Sequence, residues 1–337
     1  AHHLLSPHIP RFLENEWNFQ AVDEWAPELA KSAQNRVLLS SELMAWAEES
    51  KARKFCAQVS AWFDVYVVIY LRRQDDIIMA SYNQQIKAGP QKRRVDLIYR
   101  KQVERFDYPK ILAPWADSLE PGKVIVRPYE KQQFHGGDIR HDFLRHAFQI
   151  DVDDSFAISN KDSNPRLPLN VSEYKRMVNC LVEDGRTNDH FNQLLMEFAA
   201  EQDVSSTREL STQSVLSPEQ RIEIIELCRP DNAFVASHYL ERQNGCLFKD
   251  AEPSLDDSWD GIDLSSEDAS HITDFLKGRE PRLMRHLAQQ IESFKDALAY
   301  QKRHSARFLS CSVLGETAAS PVYRVAKEDS SPLVIGG

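Results

Sequence analysis

The stretch Asp64-Val65-Tyr66-Val67-Val68-Ile69-Tyr70-Leu71-Arg72-Arg73-Gln74-Asp75-Asp76-Ile77-Ile78-Met79-Ala80-Ser81-Tyr82 decides the fold. Asp64 to Leu71 is β-branched, aromatic and apolar on both alternating faces, the pattern of a central parallel strand covered by helices. From Ile77 onward, Ile78, Ser81, Tyr82 and Gln85 follow a helical spacing, so a helix opens directly from the strand. In open α/β sheets ligands bind beyond the carboxyl ends of the strands. A helix starting there favours an anion, and an arginine adds a permanent charge with a two-pronged donor geometry.

Further along, Pro121-Gly122 leads into the strand Lys123–Arg127, followed by an amphipathic helix from Ile139 to Phe148. Upstream, Arg36–Ser41 reads as another buried strand, and Glu42 to about Phe63 as a helix carrying Leu43, Trp46, Phe55, Val59 and Trp62. Strand–helix alternation predicts a parallel sheet with right-handed crossovers. Beyond residue 151 the character changes: a Pro/Asn/Ser-rich loop from Asn160 to Asn170 precedes helical patterns near 171–202, 217–228, 231–243, 266–277 and 281–304. The expected organisation is an α/β core over 1–150, a helical lobe over 151–304, a polar linker over 305–331, and an opening strand at 332–337.

The 337 residues are 42% apolar and 27% charged, enough for one large domain with a full core. A net charge of −10 argues against a nucleic-acid binder, so any anion site must gather arginines locally. The cysteines, at 56, 180, 228, 246 and 311, are scattered without a CxxC pair, so neither a zinc site nor a disulfide framework is expected. No apolar run is long enough to span a membrane, and a cytoplasmic protein is the expectation.

The segment around Arg73 resembles the 3′-phosphate-binding segment of the sulfotransferases: a strand, an Arg, seven residues, a Ser and an aromatic. Three further stretches stand in the family's order. Val37–Glu42 matches the preceding strand. Val124–Glu130 followed by Asp142-Phe143-Leu144 looks like the strand, "YE" pair and "FL" helix. Asn232–Asp250 is similar to a segment near the end of bacterial sulfotransferase-like proteins. The likeness covers about residues 1–250. It implies a phosphate-loop-type α/β fold and transfer of a sulfuryl group from 3′-phosphoadenosine-5′-phosphosulfate, without a metal, to a carbohydrate or other small hydroxyl or amine acceptor.

Carried over residue by residue, the resemblance gives Arg73 and Ser81 the cofactor's 3′-phosphate and makes Glu42 the general base. Glu42 reads equally as a first-turn helix acid behind Ser41. His2 and His3 are rival bases. Lys161 and Arg166, in the loop of residues 160–166, are candidates to close over the cofactor's 3′ side, and a plain interdomain loop fits the same residues. Arg72 reads as a structural or acceptor-side charge. The family's Gly/Lys/Ser/Thr-rich phosphate loop is found nowhere in residues 1–337, while Ser331–Gly337 reads either as the opening strand of another such element or as a disordered tail. The chain by itself is therefore expected to turn over poorly. Two rival readings stay open: a small-molecule kinase on the same fold, which wants a strand-end Asp where this chain has Arg72-Arg73, and a sulfotransferase-like domain that only binds.

Overall fold

The structure, a computed structural model, describes residues 17–31, 36–89, 91–153, 156, 167–182, 184–202, 215–259, 261 and 263–289. It also describes the backbone alone at 42–43 and in two strands near the end of the chain. The order is α1 (Phe19–Ala30), α2 (Glu49–Ser60), β1 (Val67–Leu71), α3 (Gln74–Ala88), α4 (Tyr99–Val103), α5 (Tyr108–Ala116), β2 (Val124–Pro128) and α6 (Ile139–Phe148). Then follow α7 (Leu169–Asn179), α8 (Gly185–Glu201), α9 (Pro218–Leu240), α10 (Ser266–Arg279), a further helix over 281–289, and strands β3 (Val322–Ala326) and β4 (Pro332–Gly336). The described chain is thus rich in helix, with a small parallel sheet. Its contacts form two compact units that alternate along the sequence. One holds 1–75, 100–160 and 222–253; the other holds 76–99, 161–221 and 254–337.

In the first unit, β1 and β2 pair in parallel from Val67↔Val124 to Leu71↔Pro128. Side chains alternate across a strand. Val67, Ile69 and Val124 accordingly pack on a core of Val22 and Trp25 from α1, Phe55 and Val59 from α2, and Trp115 from α5. Tyr70 turns to the other face, where α6 covers it. Local signals set the helix ends: Asn18 accepts from the Ala21 amide, Asp107 from Lys110 and Asp138 from Arg140.

The strand expected at Arg36–Ser41 does not form; those residues carry no regular structure. An apolar run this short is compatible with a strand or with a segment docked by its side chains. Here Leu39 enters the core and Arg36 lies over the Phe148 ring and donates to the Phe148 carbonyl. Glu42–Trp46 is a 3₁₀ turn, so the helix expected to start at Glu42 begins at Glu49. The two helices expected either side of residues 229–230 are one helix, α9, running through Pro230.

The second unit is held by an apolar core of Val171 and Val178 on α7, Phe191, Leu195 and Phe198 on α8, Ile272 and Leu276 on α10, and Leu287. At the end of α3 a polar knot replaces apolar packing. The fully buried Lys175 donates to the Ile86 carbonyl (3.3 Å), to Asn179 Oδ1 (2.6 Å) and to Asn188 Oδ1. Asn179 adds bonds to the carbonyls of Ile86 and Gln91, 3.0 Å each. A cation among the last carbonyls of a helix also meets the negative end of its dipole.

Gly89 leaves α3 with φ +98°, and a Cβ there would come within 2.8 Å of Asn188 Cγ and Oδ1. Gly89→Ala is therefore expected to destabilise by about 1–3 kcal/mol through backbone strain and displacement of Asn188. A denaturation midpoint equal to the wild type's would refute this. At the end of the chain, β3 and β4 form an antiparallel pair, Val322↔Gly336 to Ala326↔Pro332. β4 occupies the expected opening strand, and β3 falls inside the stretch expected to be a linker.

Candidate functional site

At the carboxyl end of the β1–β2 pair, Arg72 and Arg73 follow Leu71, and Tyr129 and Glu130 follow Pro128. Hydrogen bonds hold both exits: the Tyr129 amide donates to the Leu71 carbonyl (2.6 Å), and the buried Tyr108 hydroxyl donates to the Arg72 carbonyl.

Arg73 turns inward and is 7% exposed. Its Nε and Nη2 bond Asp75 Oδ1 and Oδ2 at 2.8 and 3.1 Å, a two-pronged ion pair closed within the turn from β1 into α3. Its Nη1 donates to the carbonyls of Asp250 (3.3 Å) and Ala251 (3.0 Å). Glu130, also buried, takes the amides of Lys249 (2.7 Å) and Asp250 (3.1 Å). Gln133 bonds the Leu247 carbonyl at 3.1 Å, and Arg242 bonds the carbonyls of Cys246 and Leu247 at 3.0 Å each. One charge from the end of each strand thus grips the same strap, residues 246–251. Beside it, Gln74 and Asn232 exchange amide hydrogen bonds of 2.7 and 3.0 Å.

Arg72 turns outward. Its guanidinium carbon stands 4.1 Å from the centre of the Tyr129 ring. The Tyr129 ring, 37% exposed, is braced edge-on by Phe134 at 5.5 Å, and Phe134 is braced in turn by Tyr70 at 6.3 Å. Among the described residues, no side chain or backbone carbonyl hydrogen-bonds or ion-pairs with the Arg72 guanidinium.

Below the sheet edge, Asp142 of α6 is fully buried and collects four donors. These are Tyr70 Oη (2.7 Å), Arg127 Nε (3.0 Å) and Nη2 (2.7 Å), and the His135 amide (2.7 Å). Tyr70 and Arg127 are register partners across β1 and β2, so α6 is fastened to both strands through one carboxylate. Burial alone would raise the Asp142 carboxyl, but Arg127, the His135 amide and the Tyr70 hydroxyl together hold it below its ordinary value. Burial, and then Asp142 itself, push the Tyr70 hydroxyl up, so it remains a donor.

Of the residues singled out in the sequence, Arg73 stands at the strand end in the first unit. Ser81 lies in the second unit, on α3, where its hydroxyl accepts from Gln85 Nε2 at 2.8 Å. The backbone of Glu42 opens the 3₁₀ turn, and its side chain lies outside the described residues, as do His2, His3, Lys161 and Arg166. Two residues the sequence does not single out as functional are Asp75, which neutralises Arg73, and Asp142, which enters only beside the Phe143-Leu144 pair. Arg127 was the available signal for Asp142: a charge inside an otherwise apolar strand needs a buried partner.

The chain matches no family model and no solved structure. It is 26% identical over 186 residues to a protein of Archaeoglobus fulgidus described as uncharacterized. The match covers 55% of this chain and 49% of that protein, so the chain spans about half the length of the curated relative it matches. Among the described residues, no helix is long and apolar enough to cross a membrane, and no group of three or more His, Cys, Asp or Glu side chains could hold a metal ion.

Proposed function

We propose that the chain belongs to a sulfotransferase of the phosphate-loop type, acting with 3′-phosphoadenosine-5′-phosphosulfate on a hydroxyl of a carbohydrate or other small acceptor. One observation carries the reading: a strand of a parallel pair delivers two consecutive arginines, Arg72 and Arg73, directly into the start of a helix. Such a crossing gathers positive charge where α/β sheets take their ligands. The exposed Tyr129 ring beside it offers a flat apolar surface.

In the proposed reaction the acceptor oxygen attacks sulfur in line. The bond from sulfur to the 5′-phosphate oxygen breaks, the acceptor proton passes to a base, and 3′,5′-adenosine bisphosphate leaves with the electron pair. Positive charge around the phosphates stabilises that leaving group. Glu42 is the proposed base. His3, Lys161, Arg166 and Ser81 enter the proposal on the resemblance alone.

A second reading has a specific observation in its favour. The fork of Arg73 is already filled by Asp75 and by two strap carbonyls, as in a domain that keeps the framework and only binds. Either reading predicts saturable binding of 3′,5′-adenosine bisphosphate, measured by calorimetry, that excess ATP does not displace. Displacement by ATP would point to the kinase alternative, and an absence of binding would remove the nucleotide from the proposal altogether.

A further inference from the structure

We infer that Arg72, rather than Arg73, is the guanidinium that receives an oxyanion at this end of the sheet. The two neighbours have opposite surroundings. Arg73 is buried, its charge is matched by Asp75, and its Nη1 holds the strap in place. Replacing those partners with a ligand would expose a buried carboxylate and release residues 250–251. Arg72 is half-buried, and among the described residues its N–H groups meet no acceptor.

An arginine without a partner usually wanders over several rotamers, and ordering it on binding costs conformational entropy. Arg72 is already ordered. Its backbone carbonyl takes the Tyr108 hydroxyl, and its guanidinium carbon stands over the Tyr129 ring. That ring is braced by Phe134, and its backbone is held by the hydrogen bond from the Tyr129 amide to the Leu71 carbonyl. Stacking uses the π face of a guanidinium and leaves the in-plane N–H edge for a ligand with two oxygens at matching spacing. Phosphate, sulfate and carboxylate all have that shape. Pre-ordering lowers the cost of binding, which is the usual mark of a recognition residue. The ligand is therefore an oxyanion held edge-on, borne either by the nucleotide or by an acidic sugar acceptor. The choice of nucleotide as a probe rests on the proposed function; the assignment of Arg72 does not.

The test is a titration of the 337-residue chain labelled with ¹⁵N-arginine. The Nε–H resonance of Arg72 is identified by its disappearance in Arg72→Lys, and the unfolding curve of that variant checks that the fold is kept. The probes are inorganic phosphate, 3′,5′-adenosine bisphosphate and glucuronate. The Arg72 resonance is expected to move with at least one probe, and Arg72→Lys, which keeps the charge and loses the fork, is expected to weaken that probe by about tenfold or more. A nucleotide that binds without moving Arg72, and equally well in Arg72→Lys, overturns the inference and leaves the proposed function standing. Movement with phosphate or glucuronate, with no nucleotide binding, supports the inference and overturns the proposed function. Silence of the Arg72 resonance toward all three probes overturns the inference.

Discussion

Asp142→Ala is expected to lose about 3–5 kcal/mol of stability, because it strips a buried carboxylate from partners that cannot reach water without it. Arg127 would keep a charge that is largely enclosed, and the Tyr70 hydroxyl and the His135 amide would each lose their acceptor. The fastening of α6 to β1 and β2 would go with them. Urea denaturation monitored by circular dichroism measures the loss, and a change under about 1 kcal/mol would show that the centre is energetically idle. The same group predicts an acid response. The folded-state pKa of Asp142 is depressed, so its contribution is complete above its unfolded value and disappears as pH falls through the folded one. The stability margin of the wild type over Asp142→Asn should therefore hold above about pH 4 and shrink below it.

Lys175 predicts the opposite limb. Burial pushes its ammonium down to about 8, with Asp189 pulling the other way. Between that value and about 10.4, the ordinary value for an unfolded lysine, the unfolded chain holds the proton that the folded chain has released. Stability attributable to this group must then rise with pH across about 8 to 10, by something of order 3 kcal/mol. Lys175→Met has no proton to release, so the difference between wild type and variant should climb over that window. A difference flat with pH would mean that the buried amine titrates in the folded chain as it does in the unfolded one. Below pH 8 the variant also leaves Asn188 Oδ1 without its donor, while Asn179 Oδ1 keeps only the bond from Asn188 Nδ2, so it is expected to be the less stable protein at neutrality.

Much of the first unit is legible in the sequence because its elements have strong local causes. β1 is a β-branched run with few other options, and α6 combines an Asp cap with an apolar period, so the expected span Ile139–Phe148 matches the observed helix. Segment 36–41 forms no strand, because three consecutive apolar residues, Val37 to Leu39, do not specify whether a backbone neighbour exists to pair with. The interleaving of the units was invisible for a related reason. Helix pattern reports which face is apolar, not which distant segment covers it, and the returns of 76–99 and 222–253 are decided by such pairings.

At the candidate site the position of Arg73 at the end of a strand is readable, and its neighbourhood is not. An arginine that grips a phosphate and one that closes a local ion pair use the same residue types, and Asp75 two positions on separates them only once the turn is built. Arg72 poses the converse case. Its sequence context marks it only as a structural or acceptor-side charge, since the ring beneath it is Tyr129, just past β2, after a long excursion of the chain.

The strap has a bearing on how the polypeptide can be made. Arg73 and Glu130 close on residues 249–251, and Gln74 closes on Asn232, so partners separated by 177 and 158 positions are needed before the strand ends are satisfied. A ribosome delivering the chain from its beginning presents both strands long before either partner exists. Until Asn232 has emerged the Gln74 amide waits without its partner, and until about residue 251 so do Arg73 Nη1, whose other nitrogens already hold Asp75, and the Glu130 carboxylate. Contacts of such long sequence separation form slowly, which makes this nascent interval the stage at which the polypeptide is most exposed to aggregation.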